Sequence, residues 1–187
     1  WLDSGGALQV GPRSAGAQPG PACYGLGGTD PTLTDACLTL GYLGPPGLAG
    51  GAISLDSARA EAALREKVAG PLGMDLIDLS HGVYRIAVSN MTRAIRSVST
   101  ERGKDPRDFD LIAFGGNGGL FAGTIARELE LPRVIVPPVS GIFSAFGALY
   151  SDVEHHLTQT VFGRTDAVDP AALEASWHTF EKQALNT

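Results

Sequence analysis

In the stretch GGTDPTLTDA, residues 27–36, three hydroxyls (Thr29, Thr32, Thr34) and two carboxylates (Asp30, Asp35) crowd onto backbone loosened by glycine. Groups of this kind at this spacing can hold a phosphate, a hydrated Mg²⁺ or a small polar substrate. The same residues also read as a turn followed by a helix start, with Thr34 or Asp35 capping ACLTLGYL, and a cap does not preclude a site. A second candidate is Gly115-Gly116-Asn117-Gly118-Gly119, which follows an apolar run and opens a helical pattern. Unpaired amides and the positive helix end would suit a phosphate or a nucleoside lying against bare backbone there. The plainer alternative is that these glycines only let strand and helix pack closely.

Several other chemistries are excluded or disfavoured. GNGGLFAG puts Phe121 where a dinucleotide fingerprint has its third glycine, and RVIVPP ends the next strand without the carboxylate a ribose needs. No phosphate-loop motif occurs, and Lys67, Lys104 and Lys182 all lie in other contexts. Glu154, His155, His156 and Asp152 hint at a metal, but adjacent histidines on a strand face opposite ways, so a solvated strand end is the preferred reading. Ser144 lacks the nucleophile-elbow spacing. Cys23 reads either as a reactive thiol or, more commonly, as a buried inert one.

Composition bounds the rest. With 187 residues, 43% hydrophobic and 18% charged, the chain is long enough for one domain with a real core. A net charge of −6 argues against nucleic acid as partner, since phosphate backbones call for a basic stripe. No run approaches the roughly 18 apolar residues of a membrane helix. Two cysteines with no signal peptide ahead of them point to free thiols in a reducing compartment, and hence to a soluble, cytoplasmic protein without a membrane role. The opening Trp1 and the stop inside the helical pattern EKQALNT suggest a piece of something larger.

The elements that would position the two candidate segments follow from pattern. WLDSGGALQVGP predicts a hairpin about Ser4-Gly5-Gly6. An alanine-rich helix is expected over 56–69, stopped by Gly70-Pro71, then a longer one whose apolar face runs through Leu79, Val83, Ile86, Ala87, Met91, Ala94 and Val98, ended by Gly103 and Pro106. DLIAF and RVIV read as buried parallel strands flanking the helix LFAGTIAREL, a right-handed βαβ unit in a parallel or mixed sheet. A helix over 142–150, a strand at HHLTQTVFG and a final helix capped by Asp169-Pro170 along Leu173, Trp177, Phe180 and Ala184 complete the reading.

Two blocks, GPRSAGAQPGPACYGLGGTDPTLTDACLTLGYL and SVSTERGKDPRDFDLIAFGGNGGLFAGTIARELELPRVIVPPVSGIFSAFGALYSDV, strongly resemble the hydantoinase A / 5-oxoprolinase family. The resemblance implies an α/β fold of the actin-like ATPase, ribonuclease H-like type: a mixed sheet flanked by helices, here incomplete. It divides the chain into a hairpin and Gly/Pro-rich loop (1–54), a helical segment (55–105), a nucleotide-side βαβ unit (106–162) and the start of a further segment (163–187). It implies a fragment of the catalytic subunit of an ATP-dependent cyclic-amide hydrolase of the hydantoinase/5-oxoprolinase type, which uses ATP and Mg²⁺ to open a small cyclic amide. The alternatives are a subunit of an ATP-dependent ketone carboxylase of the acetone/acetophenone type, or a non-catalytic nucleotide-binding module. Gly115, Gly116, Asn117 and Gly118 carry over as nucleotide contacts, and Thr32, Thr34 and Asp35, matching the element PTxTDA, as the catalytic side. A hydantoinase B-type partner subunit or domain and an oligomeric assembly are implied too. Family members usually read close to GGAGPLH, where this chain has Asn117, Gly119 and Phe121 for the alanine, proline and histidine. The family's D-x-G-G-T phosphate segment is expected upstream.

Overall fold

Side-chain oxygens set where the helices of this chain begin. In the computed structural model, which describes residues 1–164 and 166–186, α1 (Leu33–Thr39) starts at Thr32, α2 (Ser57–Leu64) at Asp56 and α4 (Leu76–Val98) at Asp75. Each of these accepts a hydrogen bond from a backbone N–H of the first turn, satisfying a donor that the helix itself cannot. Asp169 does the same for α7 (Pro170–Leu185), as expected from Asp169-Pro170. The cap of α1 is Thr32 rather than Thr34 or Asp35: Asp35 is the third helical residue and closes a reciprocal capping box with Thr32.

The chain forms two compact units, Trp1–Phe143 and Ser144–Thr187. In the first unit α4 is the spine. Leu76, Leu79 and Val83 pack with Ala36, Leu64 and Val68, while Tyr84, Ala87 and Val88 pack with Cys37 and with Phe121, Ile125 and Leu129 of α5 (Gly118–Leu129). The apolar stripe therefore turns through Tyr84, Val88 and Thr92, and Ala94 and Val98 of the expected face are exposed. The helix ends at Val98, and Gly103 instead closes a short 3₁₀ turn over Thr100–Arg102.

Gly70-Pro71 does not stop the preceding helix. After α2 the chain widens into a π turn, Arg65–Ala69, then runs through α3 (Gly70–Leu72) to a left-handed Gly73. Proline in a regular helix clashes with the carbonyl four residues earlier. Here a π turn, in which Gly70 N–H bonds to Arg65 O, precedes the proline, and Pro71 stands in the first turn of α3, where a missing N–H is tolerated.

The expected strands are present but short. β1 (Leu111–Ile112) pairs in parallel with β2 (Val134–Ile135), Leu111 opposite Val134 and Ile112 opposite Ile135, joined through α5. They are not buried: Ile112, Phe114, Val134 and Ile135 are all exposed, because an apolar strand is covered on both faces only where layers lie on both sides, and within this unit helical cover comes from α5. The N-terminal hairpin reduces to a single antiparallel bridge, Leu2 with Leu8.

The second unit holds most of α6 (Phe143–Ala148), which begins at the unit boundary, and α7. Residues 155–163, HHLTQTVFG, form no strand: an extended segment needs a partner's N–H and C=O groups, and none lies alongside among the described residues. Of the segment 163–187, Thr165 and Thr187 lie outside the described residues.

Candidate functional site

The threonine segment is organised by Asp35, which is wholly buried. One carboxylate oxygen accepts from Cys23 N–H (2.8 Å); the other accepts from Thr32 N–H (2.8 Å) and from the Thr32 hydroxyl (2.8 Å). Cys23 is held from both sides, since its carbonyl also accepts from Asp56 N–H at the start of α2 (2.9 Å). One buried carboxyl therefore ties the Gly/Pro-rich loop to both α1 and α2. The loop is narrowed further where Gly28 passes Gly20: a Cβ on Gly28 would lie 2.0 Å from Gly20 O, so only glycine fits.

Of the three residues expected on the catalytic side, Asp35 and Thr32 thus have their polar atoms engaged internally. Thr34 is half-buried, and its hydroxyl bonds to nothing among the described residues. Outside the loop, the π turn presents Lys67, whose Nζ donates to Asp30 Oδ1 (2.5 Å) and to Thr29 Oγ1 (3.4 Å). That pair holds the Asp30 carboxyl below its ordinary range. Sequence reading did not connect Lys67 to this loop, because the contact depends on a π turn that helix periodicity does not signal.

Both thiols are inert. Burial, then the hydrogen bond to Asp35 and its negative charge, push Cys23 up to about 12, and burial pushes Cys37 up to about 11. Both stay protonated at neutral pH and are not nucleophiles. His156 meets Glu154 at 3.0 Å on exposed backbone, and no three metal-ligating side chains come together among the described residues.

The glycine turn is built differently. Gly115 adopts φ +83° and donates its N–H to Ser140 O (2.7 Å), which sends the chain from β1 into α5. Asn117 is the N-cap, yet its side chain makes no capping bond. The N–H groups of Gly116, Asn117, Gly118 and Gly119 donate to nothing among the described residues, and Gly116, Asn117 and Gly119 are exposed. A Cβ on Gly118 would meet Ala113 at 3.5 Å, whereas Gly116 and Gly119 face open space. Four consecutive bare amides at the N-terminus of a twelve-residue helix can donate to an electronegative group of a ligand. Gly115, Gly116, Asn117 and Gly118 thus share one turn, Thr32, Thr34 and Asp35 share one helix start, and both α1 and α5 pack on α4.

The sequence profile described as hydantoinase/oxoprolinase matches residues 1–157. This chain belongs to the hydantoinase/oxoprolinase family. It is 46% identical over 165 residues to the caprolactamase subunit alpha of Pseudomonas jessenii, covering 88% of this chain and 24% of that protein. It is 43% identical over 157 residues to the acetophenone carboxylase gamma subunit of Aromatoleum aromaticum, covering 84% and 21%. The crystal structure of the ATP-dependent caprolactamase from Pseudomonas jessenii superposes with a TM-score of 0.75 at 38% identity, over 100% of this chain and 27% of that one. The fold is thus the hydantoinase type of the actin-like ATPases, present as a partial domain: helix-rich, with a small parallel sheet. The chain spans about a fifth to a quarter of the length of these two relatives. The family includes both cyclic-amide hydrolases and carboxylase subunits. No helix among the described residues is long and apolar enough to cross a membrane.

Proposed function

We propose that this chain contributes the adenosine side of the site in an ATP-dependent hydrolase that opens a small cyclic amide. The observation that carries the reading is the glycine turn: four bare amides on an exposed turn between β1 and α5, in a member of a family whose caprolactamase is ATP-dependent. Gly115, Gly116, Asn117 and Gly118 would lie against the nucleoside, where added side chains would stand between ligand and backbone. The chemistry that ATP supplies when bound is a phosphoryl group for the amide oxygen, which makes the carbonyl carbon electrophilic toward water.

The rest of the assignment concerns this chain's own groups. Asp35 and Thr32 fix the loop by their buried bonds and so set where Thr34 stands. The free Thr34 hydroxyl is the group of this trio able to donate to a substrate or phosphate oxygen. Neither cysteine takes part as a nucleophile. No cluster of three ligating side chains exists among the described residues, and no step is assigned to Mg²⁺, an ion that the phosphates of ATP hold with one or two carboxylates. A partner subunit of the hydantoinase B type and an oligomeric, cytoplasmic assembly belong to the same proposal, in keeping with relatives that are themselves named as subunits.

The second reading, a ketone carboxylase subunit, is favoured by the 43% identity to the acetophenone carboxylase gamma subunit. One assay separates the two. The intact protein with its partner is incubated with ATP and caprolactam, 5-oxoproline or hydantoin, and in parallel with ATP, bicarbonate and acetophenone or acetone. ADP release accompanied by a ring-opened amino acid supports the hydrolase; ADP release with a carboxylated ketone replaces it with the carboxylase. Binding of neither ATP nor adenosine by calorimetry overturns both.

A further inference from the structure

We propose that Tyr84 is a positioning residue that holds the glycine turn and the threonine segment in one geometry; this rests on the reading above, that the Gly115–Gly119 turn receives the nucleoside. Tyr84 is 7% exposed on α4. Its hydroxyl donates to Leu120 O (3.0 Å) and lies 2.9 Å from Thr124 Oγ1. Leu120 is the third residue of α5 and Thr124 stands one turn further on, so the phenol holds the helix at the end where the bare amides emerge. The Tyr84 ring also stacks on Phe121 of the same helix, with centroids 5.2 Å apart and 23° between planes.

The other side of the ring faces the C-terminal end of α1, the helix whose start carries the threonines, and Cys37 of α1 lies in the same apolar cluster. Tyr42 meets Tyr84 edge-on, 5.1 Å between centroids at 68°. Tyr42 is fixed just past the end of α1 by its N–H bond to Cys37 O (2.9 Å), after Gly41 turns at φ +74°. Helix α1, seven residues long, is the single element that joins the Thr32–Asp35 start to this turn. Tyr84 is thus bonded to the helix that displays the glycine turn and packed against the far end of the helix that the threonines begin. A phenylalanine would fill the same volume. The hydroxyl is what distinguishes positioning from packing, since a buried phenol requires a partner and here both partners lie on α5.

The test uses the intact protein with Tyr84→Phe, which keeps the ring and loses the hydroxyl, and Thr124→Val, which removes one of its two partners on α5 and leaves the bond to Leu120 O. Adenosine and ATP are the probes, titrated calorimetrically beside a thermal melt of each variant. Positioning predicts that both variants bind adenosine about fivefold more weakly while the fold persists. A lowered Tm with unchanged adenosine affinity in both variants makes Tyr84 a packing residue and overturns the inference. Wild-type protein that binds neither probe overturns the nucleotide reading itself, a result separable from the first because it needs no variant.

Discussion

Residues 20–35 and residues 115–119 are both rich in glycine, and they put it to opposite uses. In the first, glycine lets backbone approach backbone: Gly28 fits against Gly20 O, and the polar groups nearby are consumed by Asp35, Thr32, Cys23 and Asp56. In the second, glycine keeps side chains away: Gly116 and Gly119 face open space, and the N–H groups of residues 116–119 have no partner among the described residues. Glycine content alone does not tell a scaffold loop from a binding turn. The destination of the surrounding N–H groups does.

Breaking the scaffold loop should have the largest effect. Asp35→Ala leaves Cys23 N–H, Thr32 N–H and the Thr32 hydroxyl without their acceptor, and should cost about 3–5 kcal/mol of stability, read from denaturant unfolding. If the variant unfolds within about 1 kcal/mol of wild type, the loop is not organised by this carboxyl. Gly28→Ala comes next, at about 3 kcal/mol, since the new methyl would sit 2.0 Å from Gly20 O and backbone must shift to admit it.

A smaller effect sharpens the same contrast by pH. Cys23 and Cys37 ionise in the unfolded chain near their ordinary 9.0 but are held at about 12 and about 11 when folded. Because the folded values are raised, this contribution is fully present below pH 9.0 and is lost as pH rises toward those values. Stability should fall by about 1 kcal/mol per thiol at pH 10, and Cys37→Ala should flatten its share. The smallest structural effect belongs to the glycine turn. Gly116→Ala, with open space around it and no left-handed φ, should change stability by less than about 0.5 kcal/mol while weakening adenosine binding. Loss of stability without loss of affinity would move the turn into the scaffold class.

Much of this was legible in the sequence where local chemistry decides. The Thr/Asp helix start, the long α4 periodicity, Asp169-Pro170 and the strand-turn-helix-strand order around residue 115 all follow from side chains acting within a few residues of themselves. What was not legible depends on distant groups. Pro71 stands in the first turn of α3 after a π turn, and HHLTQTVFG lacks a strand partner that its alternation cannot supply. Tyr84 escaped notice because its importance lies in α5, 36 and 40 residues away in sequence. The two candidate segments could be picked out by residue type; that Asp35 points inward to Cys23 while the Thr34 hydroxyl has no partner among the described residues could not, since several hydroxyls and carboxylates stood equally near in the chain.

The tie between Asp35 and the loop also bears on how this region meets a protease. A stretch so rich in glycine and proline has the composition of a linker, the kind of segment where nicking normally begins. Here the amides of Cys23 and Thr32 are locked to a carboxyl with no solvent exposure, and an endopeptidase must wait for the loop to open locally before it can cut. The loop should therefore survive digestion as long as α1 does, and its amide protons should exchange with those of the helix rather than with those of the surface.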